Sequence, residues 1–183
     1  MHPSRRPAPP ALQRGLSLIE SLASLTVMAL SVGVVAPGLS QFTERRHLEG
    51  ASAQLATDLR QARSLAVAHH APVRVSVQAP GGDSCYVVHT GAAGSCTCTG
   101  AGTATCAAGG QALAVTGFAA GGPVRISSNS ASMLFDADRG TVTPTGTLRV
   151  QSRSGQAIHQ VVNIMGRVRA CSPKAAVPGY PSC

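Results

Sequence analysis

The sequence predicts an α+β protein in which one long amino-terminal helix precedes an antiparallel β domain. Three observations predict it. From Leu16 to Val35 the chain carries one charge, Glu20, among residues otherwise apolar or small. Beyond Pro37 the apolar positions recur at helical spacing, and from Val73 onward the period changes to two, with turn residues between short apolar runs. One helix followed by many short strands is the pattern of an α+β fold.

Residues 1–14 hold four prolines and three arginines without apolar periodicity, and read as a processing segment rather than as structure. The next segment, 16–39, is a membrane-spanning helix candidate. Its first twenty residues, Leu16 to Val35, rising about 1.5 Å each, reach roughly 30 Å, the thickness of a bilayer's hydrocarbon core. Arg5, Arg6 and Arg14 hold the amino end in the cytoplasm by the positive-inside rule, so the chain beyond the span lies outside it. An ionised carboxylate in such a segment costs several kcal/mol unless paired, which marks Glu20 as functional. The plain alternative is a signal-peptide core or ordinary anchor whose acid snorkels to the interface.

Pro37-Gly38 predicts a kink, because proline lacks an amide hydrogen and crowds the preceding turn. Residues 40–71 form the amphipathic half of the helix. Leu48, Leu55, Leu59, Ala62 and Ala66 make one stripe, while Glu44, Arg45, Arg46, Asp58, Arg60 and Arg63 largely fall off it. His69, His70 and Pro72 mark the end. No third metal ligand accompanies the two histidines, which read as helix-terminal residues.

Residues 72–183 make the β domain. Val73, Val75 and Val77 alternate with Arg74, Ser76 and Gln78, as in a half-buried strand. Further strands are expected at 85–90, 112–116, 124–127, 133–135, 147–151 and 157–164, with turns at Gly121-Gly122-Pro123, Asp138-Arg139-Gly140 and Ser154-Gly155. Residues 91–110, rich in Gly, Ala and Thr, are expected as a surface loop. With three Phe, two Tyr and no Trp, the core must be built from Val, Leu, Ile and Ala.

Six cysteines fit an oxidising compartment, in agreement with the topology. Cys171 and Cys183 bracket a turn-rich loop and are expected to pair. Cys85, Cys96, Cys98 and Cys106 allow three connectivities. Zinc is the competing reading for these four, and Cys-x-Cys without a CxxC pair is poor zinc spacing.

The sequence shows no catalytic constellation: no His-Glu-x-x-His, no Gly-x-Ser-x-Gly and no glycine-rich phosphate loop. Asp136 and Asp138 read as turn formers. No enzyme, cofactor or metal is expected. Charge is more informative. The net charge is +8, and the last acid is Asp138; after it come Arg139, Arg149, Arg153, Arg167, Arg169 and Lys174. An acid-free basic quarter points to an anionic partner, against the reading of a merely solvated face. If the strand ending near Ile164 continues through Gly166, then Val162, Ile164 and Val168 share one face. Arg167 and Arg169 share the other, about 7 Å apart at ~3.3 Å per residue. Two guanidiniums so spaced can each fork onto adjacent phosphates, and Lys174 in the closed loop adds a third contact. With no aromatic between them to stack on bases, binding without sequence preference is expected.

Two resemblances bear on these residues. Gly15, an apolar residue, Ser17-Leu18-Ile19-Glu20 and the apolar run resemble the class III signal of type IV pilins and type II secretion pseudopilins. The family usually has Phe or Met where Leu16 stands. The resemblance implies that residues 1–15 are a prepilin leader, cut by prepilin peptidase between Gly15 and Leu16, with Leu16 then N-methylated. It implies that Glu20 pairs with the Leu16 amine of a neighbouring subunit, so that other pilins are partners through this helix. It also implies a single-pass inner-membrane protein, with its β domain periplasmic until assembly into a pilus or pseudopilus.

The Gly166-Arg167-Val168-Arg169-Ala170-Cys171 segment in turn resembles the GspH/FimT family. That resemblance implies a pilin-like fold with the helix packed on a β domain of two small sheets. FimT-like members are minor type IV pilins whose Gly-Arg-x-Arg motif binds double-stranded DNA during natural transformation; by position the motif is Gly166, Arg167, Val168 and Arg169 here. GspH members are minor pseudopilins of type II secretion, which is the alternative.

Overall fold

The computed structural model describes residues 17–183, the side chains of residues 32–38 excepted. The helix α1 spans Leu18–Ala68, and its assignment is unbroken through Pro37-Gly38. The chain divides into two compact units, Met1–Gln41 and Phe42–Cys183.

In the first unit Ser17 caps the helix, its Oγ accepting from the Glu20 amide at 3.3 Å. Ser-x-x-Glu is the spacing of a capping box, and it puts the acid in the first turn, where the helix dipole favours negative charge. Leu18, Ile19, Leu22, Leu25, Val27, Met28 and Leu30 are exposed. Between them Ser24 and Ser31 donate their hydroxyls to carbonyls one turn back, each at 2.8 Å, so their polarity is satisfied within the helix. Among the described residues no helix is long and apolar enough to cross a membrane. Gly15, Leu16 and the side chains of 32–38, on which the expected cleavage site and much of the expected span fall, lie outside the described residues.

In the second unit the expected stripe is buried: Leu48, Leu55, Leu59, Ala62 and Ala66 all lie in the core. They meet two antiparallel sheets. One runs β5–β2–β1–β7–β8, from β1 (Val73–Gln78), β2 (Ser84–His89), β5 (Ala112–Phe118), β7 (Ser132–Phe135) and β8 (Val142–Thr143). The other runs β11–β10–β9–β6, from β6 (Val124–Ser128), β9 (Gly146–Ser152), β10 (Ala157–Val162) and β11 (Val168–Cys171). Val75, Tyr86 and Phe135 from the first sheet and Leu148, Val150 and Ile158 from the second complete the core with the helix. Two polar contacts reach into it. Tyr86 donates to Asp58 Oδ2 at 2.6 Å, and Gln160 Nε2 donates to Ser52 Oγ at 2.8 Å.

Three expectations change. Residues 91–110 are not a plain loop: β3 (Cys96–Cys98) and β4 (Ala104–Cys106) pair as a hairpin. Disulfides Cys85–Cys98 and Cys96–Cys106 staple it to β2 and to itself, and Cys171–Cys183 closes the carboxy-terminal loop as expected. The second face of β1 is more closed than the alternation implies, with Ser76 buried and Arg74 and Gln78 partly buried. Ser76 is 3% exposed and meets His89 Nε2 at 2.9 Å, while Gln78 bonds the backbone of Cys96 and Cys98. Finally, the strand ending at Val162 does not continue through Gly166. The chain turns back there into β11, with Val162 opposite Val168 and Val161 opposite Arg169.

Candidate nucleic-acid interface

One arginine of the basic carboxy-terminal quarter, Arg167, is displayed from the turn between β10 and β11. Asn163 closes that turn twice, its carbonyl accepting from the Gly166 amide at 2.9 Å and its Oδ1 from the Arg167 amide at 2.9 Å. Gly166 has φ +71°, in the left-handed region that side chains resist. A Cβ there would lie 2.5 Å from the Gly140 carbonyl oxygen and 2.9 Å from Arg63 Cδ. The glycine therefore answers two demands, a backbone reversal and a close approach. That approach docks the turn against Asp136–Gly140, where Asp136 Oδ1 accepts from the amides of Asp138 and Arg139 as a turn former should. Val142 N donating to the Ile164 carbonyl at 2.9 Å ties the two turns together. Arg63 of α1 completes the joint, its Nε donating to the Gly140 carbonyl at 3.1 Å.

The reversal rearranges the expected arginine pair. Arg167 and Arg169 are both exposed, but Arg167 precedes β11 and the two line different hollows. Arg169 sits with Val161, Ala170 and the Cys171–Cys183 disulfide. Arg167 faces α1, in a concavity of about 650 Å³ that Arg60, Arg63 and Arg139 also line, with Asp138 the carboxylate at its edge. Among the described residues the salt bridges are Arg45–Glu49 and Arg46–Glu49, so none of these arginines is ion-paired. Ile164 and Met165, expected on a buried strand face in the case of Ile164, are instead exposed at the tip.

Lys174 is exposed in a short helical turn, Pro173–Ala175, with φ +54°. The loop holding it is anchored by buried Val177, by Ser172 Oγ donating to the Ala157 carbonyl at 2.9 Å, and by the disulfide to Cys183. His159 lies beside that disulfide, its Nδ1 3.7 Å from Cys183 Sγ. Burial, and then the positive charge of Arg149, hold the imidazole below its usual pKa, so the positive charge here belongs to the arginines and lysine. The ligand atoms of His159, Cys171 and Cys183 fall within 4.8 Å of one another, yet both sulfurs are spent in the disulfide and offer no thiolate to a metal.

The sequence marks Arg139 only as part of the acid-free basic quarter, and Arg60 and Arg63 only as residues off the apolar stripe. Arg60 and Arg63 fall off the apolar stripe one turn apart, and only the tertiary fold brings them to the Gly166 turn.

The sequence pattern of the family described as Type II transport protein GspH matches residues 51–166, ending at the turn glycine. Among solved structures the chain is similar to the type IV minor pilin FimU of Pseudomonas aeruginosa, at 21% identity and TM-score 0.51, over 74% of this chain and 99% of that one. It is also similar to the minor pseudopilin EpsH from the Type 2 Secretion System of Vibrio cholerae, at 11% identity and TM-score 0.51, over 69% of this chain and 97% of that one. At these identities the likeness is one of fold. No curated protein sequence matches the chain.

Proposed function

The chain belongs to the GspH family, and from that premise we propose that it is a minor type IV pilin that captures extracellular DNA. Prepilin peptidase removes residues 1–15 between Gly15 and Leu16, and Leu16 is methylated. The apolar half of the helix, 16–39, spans the inner membrane with its amino end cytoplasmic. Glu20 pairs with the Leu16 amine of the next subunit as the filament grows, which neutralises both charges away from water. The β domain then stands outside the cytoplasm, where its three disulfides persist.

The observation that carries the DNA reading is the Gly166 turn, which presents Arg167 and Arg169 to solvent without a carboxylate partner among the described residues. Each guanidinium donates a fork of hydrogen bonds to a phosphate, and Lys174 adds a point charge from the braced loop. Neither the arginines nor the lysine reads base edges, so affinity is independent of sequence and falls with salt. The test is a polarisation titration of labelled duplex DNA with the protein and with R167Q/R169Q. Three contacts give a slope of log K against log salt of at least about −2.7 in magnitude, and removing two makes it shallower by about 1.8. Unchanged affinity and slope in the variant overturn the proposal.

The second reading is a minor pseudopilin of type II secretion, favoured by the description of the matching family. In that reading the same arginines contact acidic surfaces of neighbouring subunits and DNA is not bound.

A further inference from the structure

We infer that the nucleic-acid surface does not stop at the carboxy-terminal motif but crosses onto helix α1, with Arg60 and Arg139 as two further phosphate-binding residues. This rests on the DNA reading above and extends it to residues of three separate segments.

The concavity beside Arg167 is the ground for it. Arg60 and Arg63 come from α1, Arg139 from the turn before β8, and Arg167 from the Gly166 turn. Four guanidiniums thus converge on one hollow, and Asp138 is the only carboxylate among its lining residues. Four arginines against one carboxylate leave the hollow with a surplus of positive charge, which attracts an anion. The hollow, at about 650 Å³, is larger than one phosphate needs and opens to solvent. Duplex DNA presents one charge per ~1.7 Å of axis, so phosphates are dense along any path past the hollow. No aromatic lines the hollow, which leaves backbone contact as its means of recognition.

The joint fixes one of the four arginines. Arg63 is committed to it: its Nε holds the Gly140 carbonyl and its stem packs where a Gly166 side chain would sit. Arg60 and Arg139 are exposed, and neither makes a side-chain hydrogen bond or ion pair among the described residues. They can be changed without disturbing the turn. Arg63 cannot.

The experiment uses the full chain in detergent micelles and duplex DNA across a salt series. With Arg60 and Arg139 added to Arg167, Arg169 and Lys174, the wild-type slope is about −4.5 rather than −2.7. R60Q/R139Q returns it to about −2.7 and lowers affinity roughly 60-fold at ~0.1 M salt, by extrapolation of the same relation from ~1 M. D138N, which removes the carboxylate from the edge, tightens binding instead. If R167Q/R169Q weakens binding while R60Q/R139Q leaves slope and affinity at wild-type values, the extension onto α1 is wrong and the motif reading survives. If neither double variant matters, both are wrong. Circular dichroism melts of each variant within 2 °C of wild type (about 1 kcal/mol or less) exclude unfolding as the cause.

Discussion

Replacing Gly166 by Ala tests how the turn that presents Arg167 is built. Two costs apply. A side chain at φ +71° sits in the left-handed region, which costs about 1–2 kcal/mol. The new Cβ would also stand 2.5 Å from the Gly140 carbonyl oxygen, a backbone atom that Arg63 Nε holds. Relieving such an overlap in packed surroundings costs a further ~1–3 kcal/mol. Gly155 supplies the control, since it has φ +87° and nothing within 4 Å of its would-be Cβ. G155A should therefore lose only the backbone cost, about 1–2 kcal/mol, and G166A about 2–5 kcal/mol in all. Urea unfolding with disulfides intact measures both. Tyrosine fluorescence and far-ultraviolet dichroism serve as probes, because the chain has two Tyr and no Trp. Equal losses in the two variants would refute the argument that the turn is docked on Gly140 rather than merely reversed.

Three further outcomes follow from the core and the carboxy-terminal loop. Y86F removes the 2.6 Å bond to Asp58 and should cost about 1.5–3 kcal/mol in the same urea assay. Burial, reinforced by Asp58, pushes the Tyr86 phenol far up, so its folded form keeps a proton the unfolded chain releases near pH ~10. Wild-type stability should thus hold below that pH and fall as pH rises above it, and Y86F should lack this fall. C171S/C183S opens a loop of sequence separation 12 and should lose about 2–3 kcal/mol, read as a lower urea midpoint. Glu44 accepts from the Ser154 amide at 2.6 Å, which holds its carboxyl below the usual 4.5; stability from this latch is present above that value and lost as pH falls through the lowered one. E44Q should flatten this acid limb of the pH–stability profile.

The second half of α1 was legible because burial of Leu48, Leu55, Leu59, Ala62 and Ala66 needs only their spacing along one helix. Most strands were legible from alternation and turn residues. The β3–β4 hairpin was not. Its Gly, Ala and Thr carry little apolar signal, and its order comes from two disulfides whose pairing sequence alone leaves open. The reversal at Gly166 was hidden by a run, Val161-Val162-Asn163-Ile164, whose alternation passes for strand. Asn163 and Gly166, three apart, were the available sign of a turn. The basic hollow could not be read along the chain, since Arg60, Arg139 and Arg167 meet only through the docking of two turns on a helix.

A filament subunit whose Gly166 turn holds DNA is tested most directly in the source cell, by replacing the gene with R167Q/R169Q and scoring transformation, surface filaments and exoprotein release together. Transformation should fall steeply while filaments and release stay at wild-type levels. Undiminished transformation, or a loss confined to exoprotein release, would contradict the claim and leave the chain a pseudopilin without a nucleic-acid role.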